Sequence, residues 1–303
     1  MHTSNTNTKT NLQAAIDADR GVGNRITLGD CLKDKPSKSV WHCTLDGEDV
    51  ILKYYSGLGA FSQVEEESFL VRNIADILGS DTPARGPKLL LSRPDLGFYC
   101  LEKCPGISGD ALLIPDEDPL PFLVPRAALW LGVLVKKTSK TNMITSNYWR
   151  DVMSAQTHFE LVNDTAQQLY DAILQKALIH LQGAAGLVTK SVIHGDFHLG
   201  NLLISQDYIY GIDFQAKNIG IVVRDVAHFL IKTNAKCQTA GTIFGFDESV
   251  IAPFRSILPE GELDRLLPVF LGVELLNSFK NDRRWTPRTV QRRNDLAERY
   301  ITC

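Results

Sequence analysis

His194-Gly195-Asp196-Phe197-His198-Leu199-Gly200-Asn201, followed by Ile212-Asp213-Phe214, is the stretch that decides the fold and chemistry of this chain. It sets out an Asp, an Asn after four intervening residues, and a second Asp beyond a short apolar run. Phosphoryl transfer asks for these groups in this order. One carboxylate receives the proton of an attacking hydroxyl, and an amide oxygen and a second carboxylate hold the Mg²⁺ that neutralises a triphosphate. Asp196 is therefore the candidate base, and Asn201 and Asp213 are candidate metal ligands.

The residues between the two halves fit that purpose. Leu202-Leu203-Ile204 and Tyr208-Ile209-Tyr210 are short β-prone runs around Ser205-Gln206-Asp207, the pattern of a hairpin. Asn201 then stands where one strand begins and Asp213 where its partner ends. A hairpin brings those ends together, as two ligands of one ion require.

The motif His-Gly-Asp-x-His-x-x-Asn at 194–201, with Ile212-Asp213-Phe214 downstream, resembles the aminoglycoside phosphotransferase (choline kinase-like) family. The resemblance spans about residues 24–285, and its specific part is the catalytic stretch. It implies an α+β, bilobal, protein-kinase-like fold. A small antiparallel β-sheet N-lobe with one helix is expected, then a larger, mainly helical C-lobe. It also implies ATP and Mg²⁺ as cofactors and a small-molecule hydroxyl as acceptor. In many protein kinases an Arg follows the catalytic His and receives an activation-loop phosphate; here the residue is Gly195, and Gln215 replaces the last Gly of Asp-Phe-Gly. Only ten residues separate Asp213 from Arg224, too few for a long activation segment. Asp225 resembles the family's acid that braces the catalytic loop, and His194 the His that packs beneath it. His198 is expected to position the loop.

The N-terminal third is expected to clamp the nucleotide. Arg25–Leu28 and Ser39–Thr44 read as strands around the polar loop 33–38, which lacks the usual glycines. Ser37 and Ser39 are candidates for phosphate contact. Lys53 ends the apolar strand Val50-Ile51-Leu52 and resembles the Lys that holds the α- and β-phosphates. A helix is expected over about Phe61–Leu78, with Leu70, Ile74, Ile77 and Leu78 as its apolar stripe. Glu66 lies one turn before Leu70 on that stripe, and a Glu on a buried face needs a cation, for which Lys53 is the partner. Glu67 shares part of the face and competes. Glu102-Lys103-Cys104-Pro105-Gly106 resembles the family's interlobe hinge, with the Glu102 carbonyl and the Cys104 N–H assigned to adenine.

Beyond the hinge, helical apolar spacing recurs at 127–137, 166–181, 226–233, 263–279 and 289–300. The domain reading is a partly disordered tail over 1–20, a nucleotide-binding lobe over 21–103 and a catalytic, substrate-binding lobe over 104–303. Net charge is -3, which offers no electrostatic footprint for nucleic acid. The six cysteines have no metal-binding spacing, no apolar leader opens the chain, and no run is long enough to span a bilayer, so a cytoplasmic enzyme is expected. From Phe244 onward nine acidic residues face nine Arg and Lys, a balance that disfavours a polycationic acceptor. The basic run Arg283, Arg284, Arg288, Arg292, Arg293 reads as solvated helix face, and Trp149 and Trp285 as core. The acceptor is expected to be a sugar-like molecule, an amino alcohol or an aminoglycoside, with a sugar-like compound slightly ahead of an aminoglycoside. The alternative is a catalytically inactive nucleotide-binding regulatory module of the same fold. The sequence leaves the oligomeric state open.

Overall fold

Strict alternation builds the first sheet. In β2 (Lys38–Leu45) Ser39, Trp41, Cys43 and Leu45 point inward and their neighbours stay half-exposed. β2 pairs antiparallel with β1 (Ile26–Lys35) and with β3 (Glu48–Tyr55), and Asp46-Gly47 makes the β2–β3 turn with both residues at positive φ. The computed structural model describes residues 2–113, 119–156, 161, 163–215, 219–237, 239, 241–280 and 285–303. It divides into two units, Met1–Asp81 with Arg85–Pro105, and Thr82–Ala84 with Gly106–Cys303.

The first unit holds α1 (His2–Ala18), the strands above, α2 (Ala60–Leu78), β5 (Leu89–Arg93) and β6 (Phe98–Glu102). The two-residue β4 (Ala84–Arg85) precedes β5 in the chain. The five-stranded antiparallel sheet runs in the order β1-β2-β3-β6-β5. α1 lies within the segment read as a partly disordered tail over 1–20. Leu12 and Ile16, one turn apart, are buried with Val22, Ile26 and Trp41 in one apolar cluster. Gln13 accepts the Leu28 N–H (3.0 Å), and Arg93 grips Asp19 through two hydrogen bonds (2.8 and 2.6 Å). Two apolar residues on one face suffice to dock a helix whose remaining composition is polar.

The second unit is built around α8 (Glu262–Phe279), which is buried on almost every side, as its all-round apolar sequence requires. Packed against it are α5 (Asp164–Leu181), α6 (Val222–Lys236), α7 (Glu248–Arg255) and α9 (Pro287–Thr302). α3 (Leu120–Thr138) starts seven residues before its apolar stripe becomes regular, because Pro121 and Pro125 mask the first turns. α4 (Ser146–Ser154) and α7 were not expected. Nor was the three-stranded sheet of β8 (Lys140–Ile144), β9 (Gly186–Val192) and β12 (Ile219–Ile221), ordered β12-β9-β8. β10 (Leu202–Ile204) and β11 (Ile209–Gly211) form the expected hairpin, with β7 (Ile107–Ser108) along β10. Among the described residues, no helix is long and apolar enough to cross a membrane.

Candidate active site

The catalytic stretch lies between β9 and β10 and is fixed by its backbone. Asp225, in the first turn of α6, accepts the N–H groups of His194 (2.6 Å) and Gly195 (3.1 Å). Gly195 has φ 81°, so a side chain there, such as the protein-kinase Arg, would be strained. Asp225 is 2% exposed, and burial pushes its carboxyl up to about 6 although both N–H donors pull the other way. His194 is buried against Trp130, Phe197 and Phe214, and its Nδ1 accepts the Asp196 N–H (3.3 Å). Burial pushes its imidazole down to about 4, so it is neutral and packs rather than titrates. His198 Nδ1 accepts the Gly200 N–H (3.0 Å) and caps the short turn Leu199–Asn201.

Asp196 stands on this frame with about a quarter of its side chain exposed. Its Oδ2 accepts from Asn201 Nδ2 (3.2 Å) and Gln215 Nε2 (3.0 Å), and His228 Nε2 lies 3.1 Å from Oδ1. Burial would raise this carboxyl. The hydrogen-bonded His228, with His198 Nε2 nearby at 3.7 Å from Oδ2, outweighs it and holds Asp196 well below the usual carboxylate range. His228, on α6, also places Nδ1 2.8 Å from Oε2 of Glu274 on α8. The sequence held a signal for both. His228 is three residues after Asp225 and so shares its helix face, and Glu274 is an acid in the apolar stretch 266–276 beyond the helix's first turn.

Asn201 and Asp213 are joined as the hairpin requires. Leu202 pairs with Gly211, and the Ile212 N–H donates to the Asn201 carbonyl (2.9 Å). Gly211 is needed there because a Cβ would run into the Trp130 ring. Asp213 has φ 60°, a left-handed conformation that Asp tolerates better than most residues. The Asn201 amide nitrogen is committed to the Asp196 carbonyl (2.9 Å) as well as to its carboxylate. Its amide oxygen is then the atom left for a cation. Among the described residues no group of three or more His, Cys, Asp or Glu is placed to hold a metal. One carboxylate and one amide oxygen fit Mg²⁺, which takes few protein ligands and completes its shell with phosphates and water.

In the first unit, Lys53 on β3 is 6% exposed, with Nζ 5.9 Å from the centroid of the Tyr99 ring on β6. The helix face above it differs from the expected stripe. Val64, Ser68, Val71, Ile74 and Leu78 are buried, and Glu66 is exposed. Glu67 is the carboxylate turned to the sheet, where it accepts from Tyr99 Oη (2.7 Å), Tyr55 Oη and Gln63 Nε2 (2.7 Å), with Lys38 Nζ at 3.5 Å. The expectation of Glu66 on the buried face is thereby corrected by one position. Leu70 and Ile77, which set the expected phase, are only half-buried, while the polar Ser68 is buried.

Ser37 is exposed in the β1–β2 turn, where its carbonyl accepts the Ser56 N–H (3.1 Å). Ser39 is buried and its hydroxyl accepts Trp41 Nε1–H (2.7 Å), which corrects the expectation that it faces a phosphate. Glu102 closes β6 and Cys104 follows, its thiol donating to the Glu102 carbonyl (3.8 Å). In the second unit, Trp149 is buried beside Phe270. Of the basic run, Arg283 and Arg284 lie outside the described residues. Arg288 is exposed, and Arg292 donates to the carbonyls of Ala235 (3.2 Å) and Lys236 at the end of α6. Arg293 is buried, with its guanidinium 3.7 Å from the Phe279 ring centroid, so the solvated-face expectation fails for that residue.

Residues 37–248 match the model of the phosphotransferase enzyme family (APH). Among curated proteins none matches the chain. The fold is similar to that of aminoglycoside phosphotransferase APH(4)-Ia, at 13% identity and TM-score 0.61, over 98% of each chain. A mutant of that protein, solved with AMP-PNP and hygromycin B, is similar at 15% identity and TM-score 0.61, over 97% of this chain and 98% of the other. A glucosamine kinase is similar at 15% identity and TM-score 0.53, over 95% of this chain and 79% of the other.

Proposed function

The chain belongs to the phosphotransferase enzyme family and is a small-molecule kinase, and from that premise we propose that it moves the γ-phosphoryl group of ATP, with Mg²⁺, to a hydroxyl of a sugar-like molecule. The observation that carries this reading is Asp196, anionic, fixed by Asn201, Gln215 and His228, and still open to solvent. A carboxylate so held can accept the proton of one oriented hydroxyl. That oxygen bonds to the γ-phosphorus as the bond to the departing ADP oxygen breaks, and the proton passes to Asp196.

Asn201 and Asp213 would hold Mg²⁺, which supplies charge neutralisation at the triphosphate. Lys53 would grip the α- and β-phosphates, with Glu67 in place of Glu66 as the acid that steadies its surroundings. Ser37 is retained as a phosphate contact, and the Glu102 carbonyl and Cys104 N–H as adenine contacts. The first unit would thus serve the nucleotide and the second the acceptor. A sugar is favoured over a polycation because the Asp196 and Glu274 carboxylates already face one cationic partner, His228. The glucosamine kinase and the hygromycin B complex among the similar structures supply two acceptor chemistries to try. A cytoplasmic location is part of the proposal, supported by six free cysteines.

Purified protein with Mg²⁺ and ATP, offered glucosamine, neutral hexoses, amino alcohols and hygromycin B in turn, tests it through ADP release. Release stimulated by a hydroxylated small molecule and abolished by EDTA is expected. A panel that leaves ADP release at the acceptor-free level contradicts the sugar-like assignment.

A further inference from the structure

Asp196 offers four lone-pair positions on its two carboxylate oxygens. Asn201 and Gln215 occupy both positions on Oδ2, at 3.2 and 3.0 Å, and His228 occupies one on Oδ1. His198 Nε2, 3.7 Å from Oδ2, is beyond hydrogen-bond reach, so among the described residues a single position is left, on Oδ1, beside His228. The other ring nitrogen of His228 is 2.8 Å from Glu274, which is 8% exposed. A carboxylate can only accept, so an imidazole between two carboxylates must donate from both nitrogens and carry a charge.

Resting on the kinase reading above, we propose that His228 is a positioning residue for the base. Clamped by Glu274, it fixes Asp196 Oδ1 and directs the acceptor hydroxyl to the one lone pair that remains. Asn201 and Gln215 alone would leave the carboxylate free to rotate about the bond that carries it and offer either oxygen. With His228 in place the plane of the carboxylate is set from both sides. The three residues come from three elements, the catalytic loop, α6 and α8, so the fold itself determines the direction of attack.

The charged and titratable groups that face His228 are Asp196 and His198 from the catalytic loop, Glu274 from α8, and Asp225 and Lys232 on its own helix. Burial and Lys232 act against the imidazolium. The hydrogen bonds to Asp196 and Glu274 outweigh them and push His228 up to about 9.

The test combines a spectroscopic and a kinetic readout. Imidazole nitrogen NMR of the whole protein, with the His228 signals identified by their loss in His228→Gln, should show both nitrogens protonated up to about pH 9. Glu274→Gln should move that midpoint toward the ordinary histidine value of about 6.5. With the acceptor found in the panel above, His228→Ala should lower kcat roughly 10- to 100-fold, as misplacement of a reacting group does. Binding of AMP-PNP should be unchanged, which also reports that the variant folds. His228→Gln, a neutral donor, should recover part of the rate and lose the alkaline fall of kcat. A His228 midpoint near 6.5 in the wild type, or unchanged kcat in His228→Ala, overturns the proposal. If the wild type phosphorylates no acceptor, the kinase reading fails there, and the NMR midpoint still decides whether Asp196 and Glu274 clamp His228.

Discussion

The backbone N–H of Ile212 donates to the carbonyl of Asn201 at 2.9 Å, so the residue before Asp213 is pinned to the other proposed metal ligand. The bond extends the β10–β11 ladder by one step and leaves Asp213 in its left-handed conformation just beyond it. Ligand spacing is in this way a property of the backbone, not of side-chain rotamers.

Two substitutions at Asp213 separate geometry from charge. Asp213→Asn keeps a residue type that tolerates positive φ, so melting temperature in the absence of nucleotide should stay near wild type. Asp213→Ala should cost about 1 kcal/mol from backbone strain alone. Both should lose activity and the Mg²⁺-dependent part of ATP stabilisation in thermal melts. Full retention of that stabilisation would assign the ion to other ligands.

Glu67 accepts the hydroxyls of Tyr55 and Tyr99, which are 7% and 0% exposed. Glu67→Ala removes the carboxylate that accepts from both phenols and should destabilise the protein by about 1–3 kcal/mol. Glu66→Ala, at an exposed position, should stay within about 0.5 kcal/mol. In turnover, Lys53→Ala and Glu67→Ala should overlap in a double-mutant cycle. Additive losses in log kcat, or a larger effect for Glu66→Ala, would return the role to Glu66.

His228 also links stability to pH. Its folded value, about 9, lies above the unfolded 6.5, so its contribution is complete below pH 6.5 and is lost as pH rises through 9. A shift of this size corresponds to roughly 3 kcal/mol. Chemical denaturation at pH 6 and pH 9.5 should show wild type losing more stability than His228→Gln over that interval. Equal losses would mean that the imidazole does not gain its charge on folding.

The N-terminal helix offers a test of packing. Leu12 and Ile16 are 2% and 0% exposed, and Leu12→Ala or Ile16→Ala should each cost about 2–4 kcal/mol. A change within 0.5 kcal/mol for both would mean that the helix is undocked in solution.

Much of this site is legible in the order of residues because the chemistry is local. Asp196, Asn201 and the hairpin lie within twenty residues, and the apolar alternation of 202–211 sets their geometry directly. Asp225 is legible for a related reason, as an acid opening the next helix. What escapes is whatever depends on helix phase or on distant partners. The rotation of α2 is misjudged by one position because Leu70 and Ile77 are apolar yet only half-buried and Ser68 is polar yet buried. His228 and Glu274 are forty-six residues apart and acquire meaning only when α6 packs on α8. Ser39 is misread because its partner, Trp41, lies on the same strand face and closes the hydroxyl inside the sheet.

The central claim is that Asp196 receives the proton of a small-molecule hydroxyl during phosphoryl transfer. The most direct test is to incubate wild type and Asp196→Asn with γ-labelled ATP, Mg²⁺ and a cell extract, then separate small molecules from protein. The account predicts label in the small-molecule fraction with wild type, a rate lower by roughly 10² or more with Asp196→Asn, and equal nucleotide affinity in both. Label on protein alone, or equal rates from the two enzymes, would contradict it.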